Sequence, residues 1–239
     1  RGFKAMSGAV PYLGERVGSY REYGRRTLVE IFGEPIGRVA TLEVNTLQTC
    51  LFMNRGGRFE LGTLPREVQW APCFGASVGD YDGDGNEDLF MSQNFFSVNS
   101  EEARSDAGRG LWLRGDGKGG LEVVDARESG VAVYGEQRGC ALGDYDGDGR
   151  LDLVITQSGA STRLFRNTQA KPGVRVRLKA GAGNPHGVGG QIRVMNLGGE
   201  GPVREVKAGS GYWSQDSAVQ VMAIGEGDRL RVRWPGGRE

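Results

Sequence analysis

Two short acidic segments carry the densest chemistry in the sequence. Asp80, Asp82, Asp84 and Asp88 lie within nine residues, and Asp144, Asp146, Asp148 and Asp152 repeat the same spacing. Aspartates at positions 1, 3 and 5 of a tight loop turn three carboxylates inward, and an aspartate at position 9 closes the shell. Position 7, Asn86 in one loop and Arg150 in the other, adds a backbone carbonyl. Glycine at position 6 permits the sharp turn that an oxygen cage needs. An all-oxygen set of this size selects a hard cation and favours Ca2+ over Mg2+. The alternative is an acidic Asp-Gly hairpin without an ion, in which four crowded carboxylates repel one another. An EF-hand requires Glu at position 12, where these loops have Met91 and Ile155 in apolar runs. The expectation is two Ca2+ sites, with Asp80, Asp82, Asp84, Asn86 and Asp88 in one. Asp144, Asp146, Asp148, Arg150 and Asp152 form the other.

The loops belong to a larger repeat. Val78 to Phe90 recurs as Leu142 to Val154, an offset of 64 residues. Upstream, Leu51-Phe52-Met53-Asn54 with its Gly56-Gly57 turn parallels Leu111-Trp112-Leu113-Arg114 with Gly115 to Gly119. Leu164-Phe165-Arg166-Asn167 begins a third copy. The unit reads as strand, Gly-rich hairpin, strand, acidic loop, strand. Several short strands at a period of this length mark a β-propeller blade array. Two and a fraction blades do not close a propeller, which needs about four to eight. Missing N-terminal blades or a partner chain are therefore expected.

These loops resemble the calcium loops of FG-GAP/VCBS repeats, the blades of integrin-type propellers, over about residues 45–170. The resemblance implies that each loop joins two blade strands, that the ion stiffens the hairpin, and that Tyr81 and Tyr145 pack as blade core. Residues 172–239 change character. Val174, Val176 and Leu178 alternate with Arg175, Arg177 and Lys179, and Leu230, Val232 and Trp234 alternate with Arg231 and Arg233. Period-two patterning of this kind predicts strands with one buried and one basic face. Asn184 to Val194, Arg204 to Gln215 and Val232 to Gly237 resemble the ASPIC/UnbV domain, found beside FG-GAP repeats in bacterial surface proteins. In residues 1–45, Thr27 to Phe32 followed by Gly33 and Pro35 predicts a short helix, with strands resuming over 41–53. The fold expected is mainly β: partial propeller blades over 46–170, then a small antiparallel β-domain over 172–239.

Composition limits the alternatives. The 239 residues include 42 glycines, with equal numbers of basic and acidic side chains. Glycine so abundant, with 22 valines, favours β-structure rich in tight turns. No Gly-X-Y period and no membrane-length apolar run occurs. The acid is concentrated in residues 71–170, which carry 17 carboxylates against nine cations, and basic flanks balance it. Zero net charge and the lack of a reader motif argue against nucleic acid. Cys50, Cys73 and Cys140 have no metal spacing and allow at most one internal disulfide; Cys50 and Cys140, in apolar runs, read as buried free thiols. The chain opens at Arg1 without a signal peptide and reads as a mature or partial chain.

Four other features have a sharp and a plain reading. His186, the single histidine, sits in a turn and leaves no second histidine for a zinc site or a nucleophilic triad of its own. Arg114-Gly115-Asp116 spells an integrin-binding tripeptide at a place where the repeat requires a turn. Phe95 and Phe96 form either a loop platform for a ligand or core and edge cover. The basic strand faces read as solvated surface or as a site for an anionic polysaccharide. The functional expectation is a non-enzymatic, calcium-binding propeller module for binding, adhesion or assembly with a protein or glycan. Its compartment would be extracellular, cell-surface or periplasmic, where calcium is abundant. One alternative is a subunit of a larger envelope or secreted complex. Another is a glycan-active enzyme whose site lies in blades outside this chain.

Overall fold

The computed structural model describes residues 2–100 and 102–239. The chain divides into two compact units, residues 1–47 with 99–102, and residues 48–98 with 103–239.

The first unit is helical. Four short helices follow one another: α1 (Phe3–Ala9), α2 (Leu13–Arg16), α3 (Tyr20–Tyr23) and α4 (Leu28–Phe32). Thr27 starts α4 with a capping box: Glu30 Oε2 accepts from Thr27 N at 2.7 Å, and Thr27 Oγ1 accepts from Glu30 N. Gly33 ends it at φ 71°. Leu13, Val17 and Ile31 are buried together, flanked by Phe3, Met6, Val10, Tyr23 and Phe32. The strand expected from residue 41 does not form before Leu51. Leu42, Val44 and Leu47 are exposed, and alternation without a partner strand has nothing to bury against.

The second unit is mainly β and antiparallel throughout. A hairpin pairs β1 (Leu51–Asn54) with β2 (Phe59–Gly62). A four-stranded meander follows: β3 (Cys73–Gly79), β4 (Asp88–Gln93), β5 (Leu111–Gly115) and β6 (Leu121–Val124). After a turn of helix, α5 (Ala126–Ser129), comes a three-stranded meander of β7 (Glu136–Gly143), β8 (Asp152–Ser158) and β9 (Ala160–Phe165). The acidic loops connect β3 to β4 and β7 to β8. The two sheets enclose a core of Tyr81, Phe90, Val131, Val133, Cys140, Leu142, Leu153 and Ile155, with Trp112 and Phe165 packed against it. No closed barrel or closed ring of sheets forms among the described residues.

Glycine makes the close approach of the sheets possible. A Cβ on Gly75 would lie 2.8 Å from the Arg138 carbonyl oxygen, and one on Gly79 would lie 2.9 Å from Leu142 Cδ1. The pairing also corrects the repeat. Leu89 pairs with Leu113, and its equivalent Leu153 pairs with Phe165. Arg114 therefore corresponds to Arg166, one residue away from the match that apolar residue types suggest. A slip of one residue exchanges the two faces of a strand, so similarity of type alone does not fix the register.

The last 70 or so residues build a small antiparallel β-module, as their alternation predicts. Its strands are β10 (Val174–Arg177), β11 (Gln191–Asn196), β12 (Gly199–Glu200), β13 (Arg204–Glu205), β14 (Val219–Met222) and β15 (Arg229–Arg233). β10 pairs with β14, and β11 pairs with β12, β13 and β15. Leu178, Ile192, Val194, Val206 and Met222 form its core. Val174 and Leu230, expected on the buried face, are exposed at the margins of that core.

Candidate metal centres

Each acidic loop is organised by its first and last aspartates. Asp80 Oδ1 accepts from Gly83 N at 2.8 Å and from Asp84 N at 3.0 Å, and its Oδ2 accepts from Gly85 N at 3.0 Å. Asp144 repeats this with Gly147 N at 2.7 Å and Gly149 N at 2.8 Å. The amides converge because Gly83, Gly85, Gly147 and Gly149 all have positive φ, 76–93°, which costs glycine little. Asp88 Oδ2 accepts from Tyr81 N and its Oδ1 from Gly115 N, both at 2.9 Å. Asp152 does the same with Tyr145 N at 3.0 Å and Asn167 N at 2.8 Å. The ninth residue thus ties the start of its loop to the end of the third strand.

Asp80, Asp82 and Asp88 each place one carboxylate oxygen within 4.8 Å of the others. Asp144, Asp146 and Asp152 do likewise. The position-5 aspartates, expected in the same shell, stand outside these triads. Asp84 accepts from Asn86 N at 2.7 Å and from Asn86 Nδ2 at 3.0 Å. Asp148 accepts from Arg150 N at 3.0 Å and from Arg150 Nη1 at 2.9 Å. A hydrogen-bonding side chain at position 7 draws the position-5 carboxylate towards itself. Six of the eight expected carboxylates therefore converge, while Asp84 and Asp148 bond to the residues at position 7, Asn86 and Arg150.

Burial disfavours charge on these groups. Asp88 is fully buried, and burial pushes its carboxyl up to about 6 against the Gly115 and Tyr81 hydrogen bonds, which favour the anion. Burial also raises Asp80, with Arg204 opposing, and raises Asp152 against the amides of Asn167 and Tyr145. Positive charge delivered to either triad is therefore stabilising.

Arginines supply part of it, and sequence reasoning missed them. Arg114 Nε donates to Asp82 Oδ2 at 3.0 Å, and Arg166 Nε, its structural equivalent, meets Asp146 Oδ2 at 2.5 Å. Each third strand thus places an arginine, at its end or just past it, on the position-3 aspartate of its own loop. A correctly registered repeat would have revealed this pair. Arg175 Nε lies 2.9 Å from Asp144 Oδ2, and Arg204 Nη2 lies 4.0 Å from Asp80 Oδ2. Nothing in the local sequence marks these two, because they come from the C-terminal module.

The remaining candidates take structural places. Arg114 of the tripeptide is held by Asp82 and by Glu128 at 2.8 Å, while Asp116 accepts from Lys118 N and Gly120 N to close the turn. His186 is exposed in a turn. Phe95 packs on Phe74, whose other neighbour is Tyr212, and Arg138 stacks on both phenylalanines. Glu136 accepts from Phe96 N and Ser97 N and pairs with Arg138, so this loop is anchored. Tyr81 is buried in the core, but Tyr145, expected to match it, is 59% exposed. No sheet among the described residues covers its side of β7–β9. The cysteines are free thiols. Burial pushes Cys73 up to about 12 and Cys140 up to about 11. Cys50 is only half-buried and precedes β1, contrary to expectation, because no strand forms around it.

Residues 180–239 match the family model described as ASPIC and UnbV. The match begins after β10 and covers β11 to β15. A search of the curated proteins finds no match to the chain. No helix is long and apolar enough to cross a membrane among the described residues.

Proposed function

We propose that the chain is part of a calcium-binding, non-enzymatic β-propeller of the FG-GAP/VCBS kind. It would carry an ASPIC/UnbV module and serve binding, adhesion or assembly outside the cytosol. The observation that carries the reading is the duplicated triad: three convergent carboxylates, the same amide scheme and the same third-strand arginine in two repeats. Asp80, Asp82 and Asp88 would hold one ion, and Asp144, Asp146 and Asp152 the other. A hard divalent cation suits the all-oxygen donors, and its charge offsets the burial of Asp88 and Asp152. Calorimetric titration of chelator-treated protein with CaCl2 tests the reading. Two binding events, each lost with Asp82→Ala or Asp146→Ala, are expected; an absence of heat with a folded sample overturns it.

Assembly into a larger particle is the second reading, and one observation favours it. Tyr145 and Leu164 on β7–β9, and Phe52, Phe59 and Leu61 on the β1–β2 hairpin, are exposed apolar groups on β-surfaces. Further sheets of the same kind, from this polypeptide or a partner, would cover them. Native mass measurement separates a monomer from an assembly.

A further inference from the structure

We propose that the C-terminal module is latched onto the blades by an arginine at each acidic loop, Arg175 on Asp144 and Arg204 on Glu87 beside Asp80, and that a divalent cation in the second loop loosens this latch. The cation half of the proposal rests on the reading of the loops as metal sites; the latch itself does not.

The module reaches both loops with an arginine. Arg175 on β10 meets Asp144 Oδ2 at 2.9 Å, and the Asp144 carboxylate has no solvent exposure. Arg204 on β13 is itself buried; its Nε donates to Glu87 Oε1 at 2.8 Å and its Nη1 to the Val221 carbonyl at 2.6 Å. The connector crosses the loops as well. Lys171 N donates to the Asp82 carbonyl at 3.3 Å, and Gly173 N to the Gly149 carbonyl at 2.7 Å. Both crossings need glycine beneath them. A Cβ on Gly83 would lie 2.6 Å from the Lys171 carbonyl oxygen, and one on Gly149 would lie 2.7 Å from that of Gly173. The surface that gathers carboxylates is therefore also the surface on which the module docks.

The two arginines differ in what holds them. Asp144 Oδ2 accepts from Gly149 N and forms an ion pair with Arg175, whose Nε lies 2.9 Å away. Among the described residues, Asp144 is the only carboxylate paired with Arg175. Arg204 stands farther from Asp80 and keeps Glu87 and the Val221 carbonyl whatever happens at the loop. A divalent cation on Asp144 places like charge beside the Arg175 guanidinium, so the two oppose each other. Linkage makes the opposition reciprocal: the cation weakens docking of β10, and docking weakens cation binding. The effect falls on the second loop, while Arg204 keeps the module attached at the first.

Hydrogen exchange across residues 174–177, read on the whole chain, tests both halves. In chelator, Arg175→Gln should exchange about tenfold faster there than wild type, and Arg175→Lys should restore most of the protection. Adding about 5 mM CaCl2 should speed wild-type exchange at 174–177 without moving residues 204–206. Titration should show Arg175→Gln binding calcium about tenfold more tightly at one site. Unchanged exchange for Arg175→Gln in chelator overturns the latch. Calcium binding with no change at 174–177, and no gain in affinity for Arg175→Gln, overturns cation control while leaving the metal reading intact. No calcium binding by either protein overturns the metal reading and cation control together, and the chelator comparison still decides the latch.

Discussion

The two acidic repeats have nearly the same sequence and different fates. Tyr81 is 7% exposed and Tyr145 59%; Leu142 is 6% exposed and its equivalent Val78 58%. The exchange follows from order in the stack. The face of the first sheet that carries Tyr81 is covered by the second sheet, whose facing side carries Leu142. Among the described residues, the outward side of each repeat has no complete sheet against it. A residue in a repeat is buried by its neighbour's presence, so the same side chain is core in one copy and surface in the next. The loops themselves keep nearly the same internal hydrogen bonds in both copies, apart from Asp84 N to Asp80 Oδ1 in the first, because those bonds are local.

This contrast can be broken at several points. The largest difference should come from the tyrosines. Tyr81→Ala should cost about 3–5 kcal/mol in urea unfolding. Tyr145→Ala should stay within about 0.5 kcal/mol. Equal costs would mean that something covers the second sheet in solution.

Next come the ninth residues. Asp88→Ala leaves the Tyr81 and Gly115 amides without an acceptor between two sheets and should cost about 3 kcal/mol. Asp152→Ala exposes its orphaned amides to water more readily and should cost about half as much.

Calcium should stabilise both copies, the second less because Arg175 opposes the ion there. At a hundredfold excess over Kd an occupied site adds about 2.7 kcal/mol, so chelation should lower the melting temperature, and Asp82→Ala should remove more of the response than Asp146→Ala. A melt indifferent to calcium removes the metal from both loops.

The smallest effect concerns a strap that only the second repeat receives. Asp216 Oδ1 accepts from Leu142 N at 2.8 Å on the free edge of β7, and burial raises its carboxyl above the usual range. A raised folded-state pKa contributes stability below the unfolded value, and this is lost as pH rises through the folded value. Wild type should therefore gain stability from neutral pH towards pH 4 (about the unfolded aspartate value) relative to Asp216→Asn. A parallel pH profile for the two proteins would remove Asp216 as the cause.

Much of the site was legible. The Asp-x-Asp-x-Asp-Gly spacing located both loops and their strands, because a hairpin turn and its carboxylates are set by neighbours in sequence. The period-two pattern of Val174 to Lys179 and Leu230 to Trp234 announced the C-terminal strands for a similar reason. The spacing did not announce that Asp84 and Asp148 turn to the residues at position 7, Asn86 and Arg150, whose side chains compete for the position-5 carboxylate. It also misread residues 41–50, where apolar alternation has no partner strand. The Arg114 and Arg166 equivalence lay one residue away from the similarity of type, and only strand pairing fixed it.

By itself the sequence determined what is local: two oxygen-rich loops, their glycine turns, the alternating strands and the cap at Thr27. Tertiary structure decided which copy of a repeated tyrosine is buried and which arginines face the carboxylates. It also brought Arg175 and Arg204 from a separate module onto Asp144 and Asp80. Short-range hydrogen bonds depend on residues a few positions apart, which a sequence states directly. Burial and long-range charge pairing depend on which surfaces meet, and that is settled only when the sheets pack.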